Sequence, residues 1–150
     1  MHFCPEHYSF GIPRAVCDIH GGTGLDVLNG KAKVLTDQGE DWTEGMIKAA
    51  NKMLGFAIKE NVNLVILMDI SAACGSQVIY KGSREADNPV YQIGMGVCAA
   101  KLKSNDIPVI SQRDFGSLEA LHHLINPNHE IDETKTDHHQ TEWYLKYFRQ

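Results

Sequence analysis

The chain has 150 residues, of which 43% are hydrophobic and 22% are charged, and this composition is typical of one globular domain with its own apolar core. The formal net charge is −5 and no block of Lys or Arg occurs, which argues against nucleic acid as a partner because phosphate binding needs clustered positive charge. No apolar run approaches the roughly 20 residues that span a bilayer, and the start has no secretory signal. We therefore expect a cytoplasmic protein without a membrane partner.

The first half of the chain predicts one short strand, one long helix and one buried strand. Residues 1–40 are rich in glycine, with a short strand near 32–35. Asp41 and Glu44 fit a capping box, and apolar residues follow at helical spacing as far as Ile58, so a helix is predicted there. The apolar run 63–68 then predicts a buried strand of the parallel type.

The second half continues the alternation of helix and strand. A helix is predicted over 90–104, a second parallel-type strand over 107–110, and a third helix over 117–125 with Leu118, Leu121 and Leu124 facing inward. Alternating helix and apolar strand indicates the α/β class. We expect a three-layer Rossmann-like fold in residues 1–126, with a mainly parallel sheet and helices on both faces.

Residues 127–150 are predicted to form a polar linker followed by an aromatic helix. Trp143 and Tyr147 form one i,i+4 pair, and Tyr144 and Phe148 form another, which favours a docked amphipathic helix. The helix could pack on its own domain or on a second subunit, so a homo-oligomer is an open alternative. The polar segment 137–139, which contains two histidines, is expected to be solvated.

Two cysteines stand in turn-forming surroundings and indicate a thiolate site. Cys4 precedes Pro5, and Cys74 lies in residues 71–75 (Ser-Ala-Ala-Cys-Gly), which follow the predicted strand 63–68. A cysteine just past the carboxyl end of such a strand lies where open α/β sheets bind their ligands. The small residues around it suit a loop that wraps a bulky group. An inorganic cluster is one interpretation, and inert thiols in ordinary turns are the alternative.

The other metal-binding signals are weaker. Cys98, among small apolar residues of a predicted helix, is typical of a core cysteine, and burial is also favoured for Cys17. None of the eight histidines falls in a convincing ligand pair. Since no Cys-x-x-Cys occurs, a structural zinc site is disfavoured.

Six segments together resemble the thiouracil desulfurase family. They are residues 3–6, 11–14 leading to 18–19, 39–43, 71–75 with 79–82, 94–97, and 107–111. The likeness covers about residues 3–112, and the co-occurrence of the segments makes it fairly specific. It implies a small cytosolic protein with a cubane [4Fe-4S] cluster held by three cysteines. It also implies that the open iron takes the sulfur of a thiolated nucleobase, after which hydrolysis replaces C=S by C=O.

The resemblance also implies roles for particular residues. Cys4 and Cys74 match two cluster ligands, and Ser71 matches a serine suited to proton handling or substrate positioning. Ser71 and Asp69 are both expected to assist catalysis. The third thiolate would come from Cys17 or Cys98, and Cys17 is preferred because it lies in a loop-rich region near Cys4. The residues expected to contact the substrate are Glu6, Gly75 and Gly94.

The chain also departs from the family pattern. A family segment of about 40 residues, with the first strand, a third cysteine and an acidic residue, has no counterpart before Cys4. The loop has Ser-Ala-Ala-Cys where the family has Ser-Pro-Ser-Cys. Without the first strand, a sheet edge would need a cover, either the aromatic tail or a second subunit. Two main hypotheses remain: an iron–sulfur desulfurase, whose cluster could also bridge subunits, or a shortened binding or assembly module without a cluster or catalysis. A zinc-bound protein with mixed Cys and His ligands is a weaker third alternative.

Overall fold

The computed structural model describes residues 1–149. The helices and strands in this part of the chain are α1 (Pro5–Phe10), β1 (Cys17–His20), α2 (Gly24–Leu28), β2 (Lys33–Thr36), α3 (Thr43–Lys59), β3 (Val65–Leu67), β4 (Val78–Tyr80), β5 (Tyr91–Ile93), α4 (Val97–Lys103), β6 (Val109–Ser111), α5 (Phe115–Ile125) and α6 (Glu142–Phe148), with a 3₁₀ turn at His138–Gln140 before α6.

The strands pair in three small sheets, so the predicted mainly parallel sheet was wrong. β3 and β6 pair in parallel, with Val65 opposite Val109, as their two apolar runs predicted. β1 pairs with β2 and β4 pairs with β5, both antiparallel. Strands of three or four residues pair readily with a neighbour in sequence, whereas parallel pairing needs a long crossover. The α/β class is confirmed, but the three-layer Rossmann-like arrangement is not.

Some element boundaries differ from those predicted. The helix predicted over 90–104 begins only at Val97, because Tyr91–Ile93 forms a strand, as its aromatic and β-branched residues favour. Leu124, predicted to face inward on α5, is 78% exposed. Helix α1 was not predicted, although its Cys4 cap and the Pro5 at its first position are ordinary start signals.

The main core surrounds α3. This helix packs against α1 and α4. Of its predicted apolar face it buries Met46, Ala50, Met53 and Ala57, and it buries Ala49 as well, whereas Ile58, predicted on the same face, is 61% exposed. Helix α4 buries Ala99 and Ala100 in turn, and alanines on both helices suit a close approach. The fully buried Ile79 extends the same core to β4. Residues beside β4 therefore lie directly against the packed core.

The aromatic helix α6 packs on its own chain. The Tyr91 ring lies 5.4 Å from the ring of Trp143 and 5.6 Å from that of Tyr147, measured between centroids. The N–H of Tyr91 also donates to the Tyr147 hydroxyl at 3.0 Å. Since these contacts lie at β5, the tail does not cover the edge of β3. There Ile66 is 48% exposed and a groove of about 490 Å³ remains.

Across residues 1–149, the helices are all too short or too polar to cross a membrane.

Candidate thiolate site

The cysteine loop, defined as residues 71–75, is a tight turn closed by Ser71. The Ser71 Oγ accepts the N–H groups of Ala73 at 3.2 Å and of Cys74 at 3.1 Å. The Ser71 carbonyl accepts the N–H of Gly75 at 2.9 Å. A Cβ at Gly75 would lie 2.7 Å from the Ile79 side chain, so a larger residue would not fit. These hydrogen bonds fix the backbone of the loop, and with it the direction of the Cα–Cβ bond of Cys74.

Helix α4 begins directly on the cysteine loop. The N–H groups of residues 96, 97 and 98 each donate at 2.8 Å to a carbonyl oxygen of the loop, and Cys98 bonds to Ala73. The first amides of a helix have no partner within it, so the loop satisfies them. A Cβ at Gly96 would lie 2.6 Å from the carbonyl group of Ala73, which explains the glycine there. Cys98 is thereby placed beside the backbone that leads into Cys74.

Cys4 acts electrostatically on two buried cysteines at this site. The pKa of Cys74 is raised to about 12, first by burial and then by the charges of Glu6 and Cys4. Burial also raises the pKa of Cys98, followed by the charges of Cys74, Glu6 and Cys4. Cys4 itself is exposed, and its Sγ accepts the N–H of His7 at 3.4 Å at the start of α1. Cys98 therefore lies within electrostatic range of the two predicted ligands.

Cys17 lies in a different environment. It is buried in β1, and burial raises its pKa to about 12, with Glu6 and Asp18 adding to the rise and Arg84 and Arg14 opposing it. Cys17 lines a cavity whose charged lining residues are Glu6, Arg14 and Arg84. Its charged neighbours are thus carboxylates and guanidinium groups, whereas those of Cys98 include two thiols. Its role as the third ligand stays a prediction.

The Asp69 side chain accepts hydrogen bonds from backbone N–H groups on both sides of the cysteine loop. Its Oδ1 accepts the N–H groups of Ile70 at 3.1 Å, Ser76 at 3.0 Å, Gln77 at 3.3 Å and Val78 at 3.3 Å. The carboxylate is almost fully buried. Ile70 has a φ of +56°, a left-handed conformation that is unfavourable for a β-branched residue. Asp69 therefore fixes a strained turn immediately before the loop.

The Oδ2 of Asp69 has a partner that the sequence did not reveal. The Nδ1 of His138 lies 2.8 Å away, and this histidine is only 2% exposed. The expectation that residues 137–139 are solvated was therefore wrong for His138. The polar tail carries no periodic apolar signal, so the nearest clue in sequence was Trp143, which now stacks on His138 with centroids 5.5 Å apart.

The residues predicted to contact substrate have structural partners as well. Glu6 forms an ion pair with Arg14 at 3.0 Å. Gly94 donates its N–H to Gln77, and a Cβ there would lie 2.7 Å from Thr23. Gly94, like Gly75, is thus needed for packing. Whether these residues also contact a substrate stays a prediction.

A second cluster of metal-binding residue types lies beside His138. Among residues 1–149, ligand atoms of Asp114, Asp137 and His139 lie within 4.8 Å of one another. The Asp114 oxygens already accept three donors, the Gln77 amide and the N–H groups of Ser111 and His138. Asp137 accepts both the N–H and the hydroxyl of Ser117. These carboxylates are therefore engaged by protein donors.

The fold and the site define a small α/β protein with thiols gathered at the end of a parallel strand. Comparison with known proteins identifies its family: residues 1–114 match the family described as 2-thiouracil desulfurase. The chain belongs to this family. Residues 115–149, which form α5, the 3₁₀ turn and α6, lie outside the match.

Two individual proteins are similar to this chain. The uncharacterized protein YbbK of Bacillus subtilis (strain 168) is 42% identical over 116 residues, which is 77% of this chain and 75% of that protein. Among solved structures, the [4Fe-4S]-dependent thiouracil desulfidase TudS is similar with a TM-score of 0.65 and 28% identity. That match covers 83% of this chain and 74% of TudS.

Proposed function

We propose that this chain binds a [4Fe-4S] cluster and removes sulfur from a thiolated small molecule, such as a thiolated nucleobase. The observation that carries the proposal is the grouping of Cys4, Cys74 and Cys98 at the cysteine loop, in a chain of the 2-thiouracil desulfurase family. In the net reaction, C=S and water give C=O and H₂S. Water supplies the oxygen, so no oxidant or reductant is needed.

The donor set suits such a cluster. Thiolates are the usual protein ligands of iron–sulfur clusters. Cys4 and Cys74 would be two of the three thiolate ligands. Cys98 is supported as the third because the charges of both Cys74 and Cys4 raise its pKa, while Cys17 remains the choice that sequence favoured.

The bound cluster would supply a Lewis-acidic iron that attracts a soft sulfur atom. Ser71 would orient the substrate: its oxygen accepts two backbone N–H groups, so its own O–H is left to donate to the substrate. Glu6, whose charge reaches Cys74 and Cys98, would accept a ring N–H of the thiolated base. The Asp69 carboxylate accepts four backbone N–H groups and contacts His138, so we assign it to positioning the loop.

The experiment is anaerobic reconstitution, followed by iron and acid-labile sulfide counts and an assay of sulfide release from 2-thiouracil. Wild type is expected to hold about four irons and four sulfides per chain. Cys74→Ala and Cys98→Ala should lose the cluster and the activity. Cys17→Ala is the matched control, because that thiol is also buried but lies among other charges. It should keep both.

Two results would contradict the proposal in different ways. If Cys17→Ala loses the cluster and Cys98→Ala keeps it, the third ligand is the one that sequence predicted. If wild type stays colourless after reconstitution, the chain has no cluster and the proposed reaction is wrong.

A further inference from the structure

His138 lies in the tail beyond the family match and contacts Asp69, two residues before the cysteine loop. We propose that His138 is a positioning residue, which orders the cysteine loop by holding Asp69. The ordering of the loop stands on the contacts of this chain alone. Its consequence for a cluster rests on the proposed function.

The contact between His138 and Asp69 is buried on both sides. The exposed fraction is 3% for the His138 side chain and 0% for that of Asp69, and Nδ1 and Oδ2 lie 2.8 Å apart. Asp69 accepts four backbone N–H groups through Oδ1, so Oδ2 is the oxygen that faces the histidine. In the tautomer with its proton on Nδ1, His138 donates this hydrogen bond to Oδ2.

The contact is transmitted to the loop through a strained turn. Ile70, with its φ of +56°, separates Asp69 from Ser71, the residue that closes the cysteine loop. A strained backbone persists only where its surroundings over-determine it, and the Asp69 carboxylate bonds the N–H of Ile70 before the cysteine loop and those of residues 76–78 after it. Without His138, the buried Oδ2 would lose its hydrogen-bond partner, which is costly for a buried polar group.

Further contacts fix His138 in place. Its backbone N–H donates to Asp114 Oδ1 at 3.1 Å, and Asp114 also accepts the Gln77 side-chain amide at 2.7 Å. The ring of Trp143 stacks on the histidine ring. Within residues 1–149, the buried Nε2 of His138 has no hydrogen-bond partner. The polar function of this ring therefore lies in its Nδ1 contact with Asp69.

Amide hydrogen exchange of the metal-free protein tests the proposal, with cysteine alkylation as a second readout. In His138→Ala, the amides of Ser76, Gln77 and Val78, which bond to Asp69, are expected to exchange at least about tenfold faster than in wild type. Iodoacetamide should label Cys74 faster as well. The labelling of Cys17 should be unchanged and serves as an internal reference.

Two further variants separate positioning from general loss of stability. His138→Asn keeps an amide N–H near the place of Nδ1 and should restore much of the protection. His139→Ala changes the exposed neighbour and should behave as wild type. The proposal is overturned if His138→Ala leaves residues 76–78 as protected as before. It is equally overturned if β1 and Cys17 become exposed to the same extent, since that is global unfolding.

A last measurement links the inference to the cluster. Reconstituted His138→Ala should lose iron to a chelator several-fold faster than His139→Ala. Equal rates would overturn the link between His138 and the cluster. If neither wild type nor variants bind iron but the amide result holds, the proposed function fails while the positioning role stands.

Discussion

Burial decides the chemistry of single cysteines in this protein. The pKa of Cys74 and that of Cys17 are each raised to about 12, and thiols are poor nucleophiles because only the thiolate reacts. Metal binding also needs the thiolate, so loading a cluster would release protons from Cys74 and Cys98. In the metal-free protein these thiols are stable rather than reactive.

The raised pKa of Cys17 predicts a loss of stability in alkaline solution. The folded state keeps this proton up to about pH 12, whereas the unfolded chain loses it above about pH 9. The stabilisation is therefore complete below pH 9 and is lost as the pH rises toward 12. As the pH rises above about 9, the free energy of unfolding of Cys17→Ala should fall less steeply than that of wild type. The difference in slope should be about 1.4 kcal/mol per pH unit.

Urea unfolding under reducing conditions, between pH 8 and pH 10.5, measures this slope. Cys4→Ala is the control, because that cysteine is exposed, and its slope should equal that of wild type. Equal slopes for wild type and Cys17→Ala would contradict the assigned burial of Cys17.

At the scale of elements, the contact of α4 with the cysteine loop holds the site together. Its first amides bond to the loop carbonyls, and Gly96 allows the close approach. Gly96→Ala should destabilise the protein by about 1–3 kcal/mol, because the new Cβ would overlap the Ala73 backbone. Chemical denaturation measures this effect.

Gly55→Ala is a matched control for the same substitution. Gly55 lies within α3, and a Cβ there would meet no atom within 4 Å, so alanine should stabilise the helix by about 0.5–1 kcal/mol. If Gly96→Ala is as stable as Gly55→Ala, the close packing of α4 on the loop is not as described.

At the scale of the whole molecule, the tail outside the family match is integrated through an aromatic cluster. Trp143 contacts the rings of Tyr91, His138 and Tyr147. Trp143 is also 39% exposed, so Trp143→Ala should cost about 1–2 kcal/mol, less than a fully buried aromatic residue. The midpoint of thermal unfolding measures it.

Ile125→Ala provides the comparison, because Ile125 lies at the end of α5 and is 75% exposed. It should change stability by no more than about 0.5 kcal/mol. A Trp143→Ala variant indistinguishable from Ile125→Ala would mean that the tail contributes little to the fold.

The sequence by itself determined the elements and motifs that depend on neighbouring residues. Helical spacing identified α3, two apolar runs identified the parallel strands β3 and β6, and contiguous segments around Cys4 and Cys74 indicated the family. Such signals are local: periodicity and turn chemistry act over a few residues.

Only the tertiary structure decided which distant residues meet. Cys98 lies with Cys74 because α4 begins on the cysteine loop, and His138 meets Asp69 across 69 positions of sequence. The antiparallel pairing of β4 with β5 likewise depends on how a connecting segment closes. In sequence, burial was favoured for both Cys17 and Cys98, and the preference for Cys17 as a ligand rested on its loop-rich surroundings near Cys4. Their difference arises from the charges and thiols that packing brings to each, which is a property of the folded chain.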